Sequence, residues 1–396
     1  MSNKPRFVGE KKSLRNRIEY VRGVTYKAAV DLHKELDEDS YMLLRANNIQ
    51  GGALVLDDVQ FVDRSKVKPK QLLKKGDILV CASSGSKGLV GKAALVREDM
   101  VATFGAFCCV LRAVDCSPEY LAHYFSSKQY RNAIEEACTG SNINNLKAGI
   151  FATLIVPAYS EADERSIVEL LDAVSGQICK TRKQIEKLDQ LVKSRFVEMF
   201  GDPCLNDKQL PLVKLSSLGT LERGKSKHRP RNDPKLLGGP YPLIQTGDVA
   251  NAGLHLTTFS ATYSELGLQQ SRMWPKGTLC ITIAANIAKT AILDFDACFP
   301  DSVVGFTPNE HVTNVFMHYW FEFFQEILES QAPQAAQKNI NLKILSDLDV
   351  ALPTVGRQED FNSFVAQVDK SRFVAQQQIE KLQMLYDSLA QDYFGD

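Results

Sequence analysis

Gly219-Thr220-Leu221-Glu222-Arg223-Gly224-Lys225-Ser226 fits the G-x-x-x-x-G-K-[ST] pattern of a loop that cradles nucleotide phosphates. Such a loop works only where a helix opens directly after it, so that backbone N–H groups and the helix dipole converge on the anion. Here Lys227 to Lys235 comes next, Pro230 and Pro234 oppose that helix, and Leu221, Glu222 and Arg223 crowd the loop interior. The match is read as accidental. As charge, the same stretch is dense: Arg223, Lys225, Lys227, His228, Arg229, Arg231 and Lys235, kept out of a helix by Gly224 and Pro230. Near the N-terminus, Arg15, Arg17, Arg22 and Lys27 lie around an identical Arg-Gly pair, Arg22-Gly23. Flexible basic loops suit phosphate contact, and arginine can also take guanine bidentately in a major groove. One such run would ordinarily be solvated surface; its recurrence favours binding.

Two further elements recur. Ser83 to Lys92, carrying Lys87 and Lys92, is answered by Ala284 to Thr290 with Lys289; small residues ending in lysine make either a thin ligand-facing loop or an ordinary hairpin turn. Ser141 to Lys147 is answered by Gln337 to Lys343, bringing Lys147, Lys338 and Lys343 beside amides that can read adenine edges or simply cap helices. Catalytic constellations are missing. There is no Pro-Pro dipeptide, hence no amino-methyltransferase motif; the six histidines form no H-E-x-x-H, and no G-x-S-x-G elbow occurs. Nine cysteines without a C-x-x-C pair read as reduced structural thiols. No metal, no cofactor and no catalytic activity of its own are expected.

The elements that must position these loops are set by length and repetition. The chain has 396 residues, room for two to four domains, with Lys plus Arg and Asp plus Glu both at 47 and a net charge of +0. Any polyanionic partner must be met by local patches. With 44% hydrophobic residues and no apolar run of about 18, the chain is read as globular, cytoplasmic and without a membrane partner. Ile185-Glu186-Lys187-Leu188 returns as Ile379-Glu380-Lys381-Leu382, and Phe200-Gly201-Asp202 as Phe394-Gly395-Asp396, both 194 residues on. Upstream, Tyr41 answers Tyr241, Gly76-Asp77-Ile78 answers Gly277-Thr278-Leu279, Lys92-Ala93-Ala94 answers Lys289-Thr290-Ala291, and Leu146-Lys147 answers Leu342-Lys343. The chain is two copies of one unit.

Each copy pairs an α+β globule, with one helix expected at Pro118 to Ala137 or Val312 to Ser330, with a long helix. Leu171, Val174, Ile178, Ile185, Leu188 and Val192 step by three and four, with Thr181 in the polar slot; Val365, Val368, Ala375, Ile379, Leu382, Tyr386 and Leu389 repeat this around Arg372. Ser160 with Asp163 opens the first helix and Gly201 with Pro203 stops it. A helix of ~40 residues is ~60 Å long and cannot leave its seam exposed, so the two helices are expected to form an antiparallel coiled coil with one globule near each end.

The helix string Glu186-Lys187-Leu188-Asp189-Gln190-Leu191-Val192-Lys193-Ser194-Arg195-Phe196-Val197-Glu198-Met199-Phe200-Gly201-Asp202-Pro203 closely resembles the spacer helices of the DNA-specificity subunit of type I restriction-modification systems. Arg22-Gly23 with Lys27, and Arg223-Gly224 with Lys225 and Lys227, look like the basic start of that family's target-recognition domains. Tyr41 to Arg45 and Tyr241 to Asp248, with Gln245, look like the strand after it. The proline-rich turn and Glu-Gln pair that often lead into the family's helices survive only in pieces, at Ile155 to Glu161 and Leu352 to Gln358.

The resemblance implies target-recognition domains at 1–157 and 203–355 and spacer helices at 158–202 and 356–396. It implies a bipartite, gapped site on double-stranded DNA, two docked methyltransferase (modification) subunits, and restriction subunits as optional partners. Half-sites one turn apart are ~34 Å from each other, within reach of a ~60 Å rod. A coiled-coil scaffold, or a DNA-binding protein without a methyltransferase partner, is the rival reading; a scaffold would not need basic loops in both copies.

Overall fold

The computed structural model describes residues 9–139, 145–284, 287–331 and 340–395. It divides into two compact units, 1–182 with 376–396, discontinuous in sequence, and 183–375, which is contiguous. Both long helices contribute one half to each unit. The first spans Glu161–Phe200 and the second Val355–Phe394. The predicted Ser160 cap forms, its hydroxyl accepting from the Asp163 N–H at 3.2 Å and donating to the Asp163 carboxylate at 2.7 Å. At the other end Gly201 turns into the left-handed region at φ 80°, which only glycine adopts freely.

In the first unit, Ile18–Arg22, Cys108–Ala113, Asp77–Cys81 and Ala93–Leu95 form an antiparallel sheet in that spatial order. A second sheet, of Ala102–Phe104, Ser40–Leu44, Gln60–Asp63 and Leu32–His33, mixes one parallel pair with antiparallel ones. The second unit repeats the first sheet with Gly219–Arg223, Val303–Pro308, Leu279–Thr282 and Thr290–Leu293, adding His255–Leu256 at the edge. Its other sheet runs Ala261–Tyr263, Leu237–Leu243, Ala297–Cys298, Met273–Trp274. Gly76 and Gly277 make the same turn, at φ 89° and 87°, before the central strand of each copy.

Backbone bonds fix the register of the duplication. The Leu14 N–H donates to the Leu154 carbonyl and the Leu215 N–H to that of Leu348, both at 2.9 Å; Leu146 bonds Ala82 as Ile340 bonds Ile283. Leu146 is therefore matched by Ile340, and Lys147, the residue entering the helix Ala148–Thr153, by Asn341, which caps Leu342–Ser346. The expected pairing of Leu146-Lys147 with Leu342-Lys343 is two residues out, drawn off by a local Leu-Lys identity. The helix expected over Pro118 to Ala137 is also two helices, Pro118–Phe125 and Lys128–Thr139. Between them the Ser127 hydroxyl donates to the Tyr124 carbonyl and accepts from the Tyr130 N–H, so it closes one helix and caps the next. Its counterpart in the second unit is a single helix, Asn314–Gln331.

The two long helices pack antiparallel along the predicted seams. In the second unit Phe196 lies against Phe361, with ring centres 5.5 Å apart, and Asp189 takes the guanidinium of Arg372. In the first unit His123 reaches both helices, Nδ1 at 2.8 Å from the Tyr386 hydroxyl and Nε2 at 3.2 Å from Asp172. Leu171, Val174, Ile178, Thr181 and Val192 are buried on one helix, and Val365, Val368, Ala375, Ile379 and Tyr386 on the other. Each helix also buries its last aromatic in a globule. Phe394 packs on Tyr120 and Phe200 on Phe316, both at 5.2 Å; the Ser117 and Thr313 hydroxyls, which cap their helices in the same way, mark Tyr120 and Phe316 as counterparts.

A polar contact repeats at each helix start. The Glu164 carboxylate accepts from the Ser117 N–H at 2.9 Å and from Arg17 Nη2 at 3.3 Å; the Gln358 side-chain oxygen accepts from the Thr313 N–H at 2.8 Å, and its amide donates to the His311 and Pro353 carbonyls at 3.0 Å. Both are buried. The same packing takes an ion pair in one copy and a neutral amide in the other.

His318 is buried with Nδ1 at 2.9 Å from the Thr290 hydroxyl, and burial pushes its pKa down to about 3. An imidazole with an unfolded value of 6.5 then favours the unfolded chain as it takes up a proton, so its contribution is intact above pH 6.5 and lost progressively toward pH 3. We expect about 2 kcal/mol to be lost between pH 6.5 and 5, read by tryptophan emission during urea unfolding. His318→Gln should flatten that dependence; an equally steep variant would rule the assignment out.

Candidate nucleic-acid interface

The strand Gly219–Arg223 settles the phosphate-loop pattern: those residues are extended, pair with Val304 to Pro308, and no helix opens at Lys225. Beyond the strand the chain forms a clasp. The Gly224 N–H bonds the Val303 carbonyl at 2.9 Å and the Lys225 N–H the Phe299 carbonyl at 3.1 Å. A Cβ at Gly224 would lie 2.2 Å from the Phe299 oxygen, so only glycine lets the strands come this close. Gly23 stands in the same place in the first unit: its N–H bonds Cys108 at 3.3 Å, the Val24 N–H bonds Phe104 at 2.8 Å, and a Cβ would meet the Gly105 oxygen at 2.1 Å. The Arg-Gly pair recurs because glycine fastens the segment and arginine is left at the strand's exposed end.

Arg22 and Lys27 in the first unit, and Arg223, Lys225, Lys227, Arg229 and Arg231 in the second, are exposed. Arg229 Nη1 donates to the Ser226 carbonyl at 2.5 Å and the His228 carbonyl at 2.8 Å, and its Nη2 lies 3.6 Å from Asp301. Arg231 also pairs with Asp301. The loop is braced from the far side by His228, whose N–H donates to Gln270 at 3.1 Å and whose ring meets Asp233 at 3.1 Å. The Lys235 N–H, then the His228 ring, hold the Asp233 carboxyl below the usual carboxylate range. Beneath it Arg272 stacks on Trp274 at 4.1 Å, and Trp274 on Phe299 at 4.7 Å.

The other candidates are more scattered. Arg45 is half-buried and paired with Asp58 at 3.0 Å. Gln245 is exposed at the start of the helix Thr246–Asn251, where its N–H donates to Asp248 at 2.8 Å. Lys92 and Lys289 are half-buried beside the central strands, their carbonyls taking the N–H groups of Cys81 and Thr282. Lys147 and Lys343 are both exposed, each at a short helix by the ribbon that joins globule to long helix. Lys338 and the Lys87 side chain lie outside the described residues. Sequence reasoning missed Asp301, which is 70 residues from the arginine it holds; the one available signal was an acidic residue where the other copy has Ala106. Among the described residues no group of three His, Cys, Asp or Glu side chains is placed to hold a metal, and no helix is long and apolar enough to cross a membrane.

Residues 210–384 match the family model of the type I restriction modification DNA specificity domain. The type I restriction enzyme StySPI specificity subunit of Salmonella potsdam is 40% identical over 174 residues, 44% of this chain and 37% of that protein. The EcoKI specificity subunit of Escherichia coli (strain K12) is 38% identical over 194 residues, 48% of this chain and 40% of its own. The matches thus span about two fifths of these curated relatives. Among solved structures, the type I restriction-modification S subunit from M. genitalium aligns over 100% of this chain and 98% of its own, with TM-score 0.53 and 14% identity. A chain from a structure concerned with complex assembly and conformational transition of a type I system covers 96% and 98%, with TM-score 0.54 and 16% identity. The fold, two α+β globules with a pair of long helices, is that of such S subunits. Residues 210–384 thus match a type I specificity domain, and a little under half of the chain is similar in sequence to type I restriction enzyme specificity subunits.

Proposed function

We propose that this chain reads a bipartite, gapped site on double-stranded DNA for a type I complex, one half-site for each of two target-recognition domains at 1–157 and 203–355. The long helices set the gap and dock two modification subunits, with restriction subunits as optional partners. The chain acts in the cytoplasm and positions DNA for chemistry done by its partners. The Arg-Gly clasp carries this reading: it places a basic segment at the same strand end in both units, while the residues around it differ, as independent readers of two unlike half-sites require. Arg22, Lys27, Arg223, Lys225 and Lys227 supply phosphate contacts near the clasp. Phe373, Val374, Met384 and Leu385, exposed on the second long helix, support docking of a partner there.

Co-expression with its modification subunits, followed by mapping of methylated adenines, should yield one gapped, two-part motif. Exchanging residues 1–155 for those of another family member should replace one half of the motif and leave the other. Replacement of both halves, or no motif in the parent, would overturn the independent-reader assignment.

A further inference from the structure

Two turns stand in the same place in the two units and carry opposite chemistry. In the first unit the turn after Phe104 is Gly105-Ala106-Phe107, and the Phe107 carbonyl accepts from the N–H groups of Ala82 and Ser83, both at 2.9 Å. In the second, the turn after Phe299 is Pro300-Asp301-Ser302, and the Ser302 carbonyl accepts from the Ile283 N–H at 3.0 Å. Both turns are gripped by the Arg-Gly clasp, through Val24 on Phe104 and Lys225 on Phe299. The backbone is thus the same, beside the basic segment in both copies, and the side chains it offers are not.

Phe107 is 70% exposed, among the most exposed large apolar side chains described, and it stands on a turn whose backbone is held by Ala82 and Ser83, beside the basic segment. Asp301 gathers Arg229 and Arg231 onto one carboxylate. Two guanidiniums on one acid leave a single net positive charge, so general attraction to phosphate is muted. Their planar donors stay in a fixed geometry suited to a partner with paired acceptors.

We propose that this turn is a base-reading element in both units: Phe107 packs against thymine methyl groups or an unstacked step in the first half-site, and Arg229 and Arg231, positioned by Asp301, take guanine O6 and N7 in the second. The proposal rests on the DNA-reading function above and specifies its chemistry. Asp301 is a positioning residue, because it acts through the arginines. Unlike contacts at equivalent turns explain how two copies of one scaffold read different bases without rebuilding the sheet.

The test uses the full chain assembled with its modification subunits, on duplexes carrying the methylation motif, the motif altered in one half, and random sequence. Asp301→Asn should raise affinity for random DNA severalfold and cut discrimination in the second half-site by about 5- to 50-fold, leaving the first untouched. Phe107→Ala should lose discrimination by about 5-fold or more in the first half-site only, with Phe107→Leu restoring most of it. Uracil in place of thymine in the first half-site should weaken the parent and leave Phe107→Ala indifferent. The proposal is overturned if both variants discriminate within twofold of the parent, or lose binding equally on all three duplexes. A parent assembly with no sequence preference would instead overturn the DNA-reading function itself.

Discussion

Phe196→Ala is expected to destabilise the second unit by about 3–5 kcal/mol. The ring is fully buried, with Phe200, Phe323, Phe316 and Phe361 around it at 5.0 to 5.5 Å between centres. Those partners come from its own helix, from the helix Asn314–Gln331 and from the second long helix, so no single element can move in to fill the space. Phe196→Leu keeps most of the volume and should cost about half as much or less. Both tryptophans, Trp274 and Trp320, lie in this unit, so their emission during urea unfolding reports it directly. An alanine variant within about 1 kcal/mol of the parent would show that the aromatic cluster does not hold the helix ends.

Glu164→Ala tests the other unit with comparable effect. Arg17 and Glu164 each expose only 6% of their side chains, and one Arg17 nitrogen, Nη1, already lacks a partner. Deleting the carboxylate strands a buried guanidinium, which among the described residues keeps Asp115 at 3.2 Å, and leaves the Ser117 N–H without its acceptor. A loss of about 3–5 kcal/mol is expected, measured by far-UV circular dichroism on urea unfolding. Glu164→Gln should cost about 1–2 kcal/mol, because an amide oxygen can still accept from Ser117 as Gln358 does from Thr313. Equal losses for the two substitutions would mean that charge, and not the hydrogen bond to the helix cap, is what the site needs.

The long helices could be read almost to the residue, because seam spacing, the Ser160 cap and the Gly201 stop are all local in sequence. The antiparallel packing came from an exposed seam that needed cover. The Arg-Gly repeat was visible too, but not its cause: that a Cβ at Gly23 or Gly224 would strike a carbonyl is a fact of two strands far apart in the chain. Asp301 was out of reach for the same reason, and with it the finding that Arg229 and Arg231 share one acid. The break after Phe125 was missed because apolar periodicity continues through Ser126-Ser127, and only the Ser127 hydroxyl on the Tyr124 carbonyl shows where the chain resets. Among Lys92, Lys147, Lys289 and Lys343, pattern alone could not separate the exposed lysines at short helices, Lys147 and Lys343, from the half-buried strand neighbours, Lys92 and Lys289.

The split composition of the first unit sets the order of events on the ribosome. Residues 1–182 are made first, yet the ring that packs on Tyr120 and Tyr124 is Phe394, and the phenol on His123 is Tyr386. At ~5–20 residues per second, the segment beginning at Gln376 emerges about 10–40 s after Arg182. For that interval the nascent first unit carries an open aromatic cleft, while the second unit, contiguous from 183 to 375, can close as soon as it is translated. The copy synthesised first is the copy completed last, and that window is when a growing chain is open to chaperones or to mispairing with a neighbouring chain's helix.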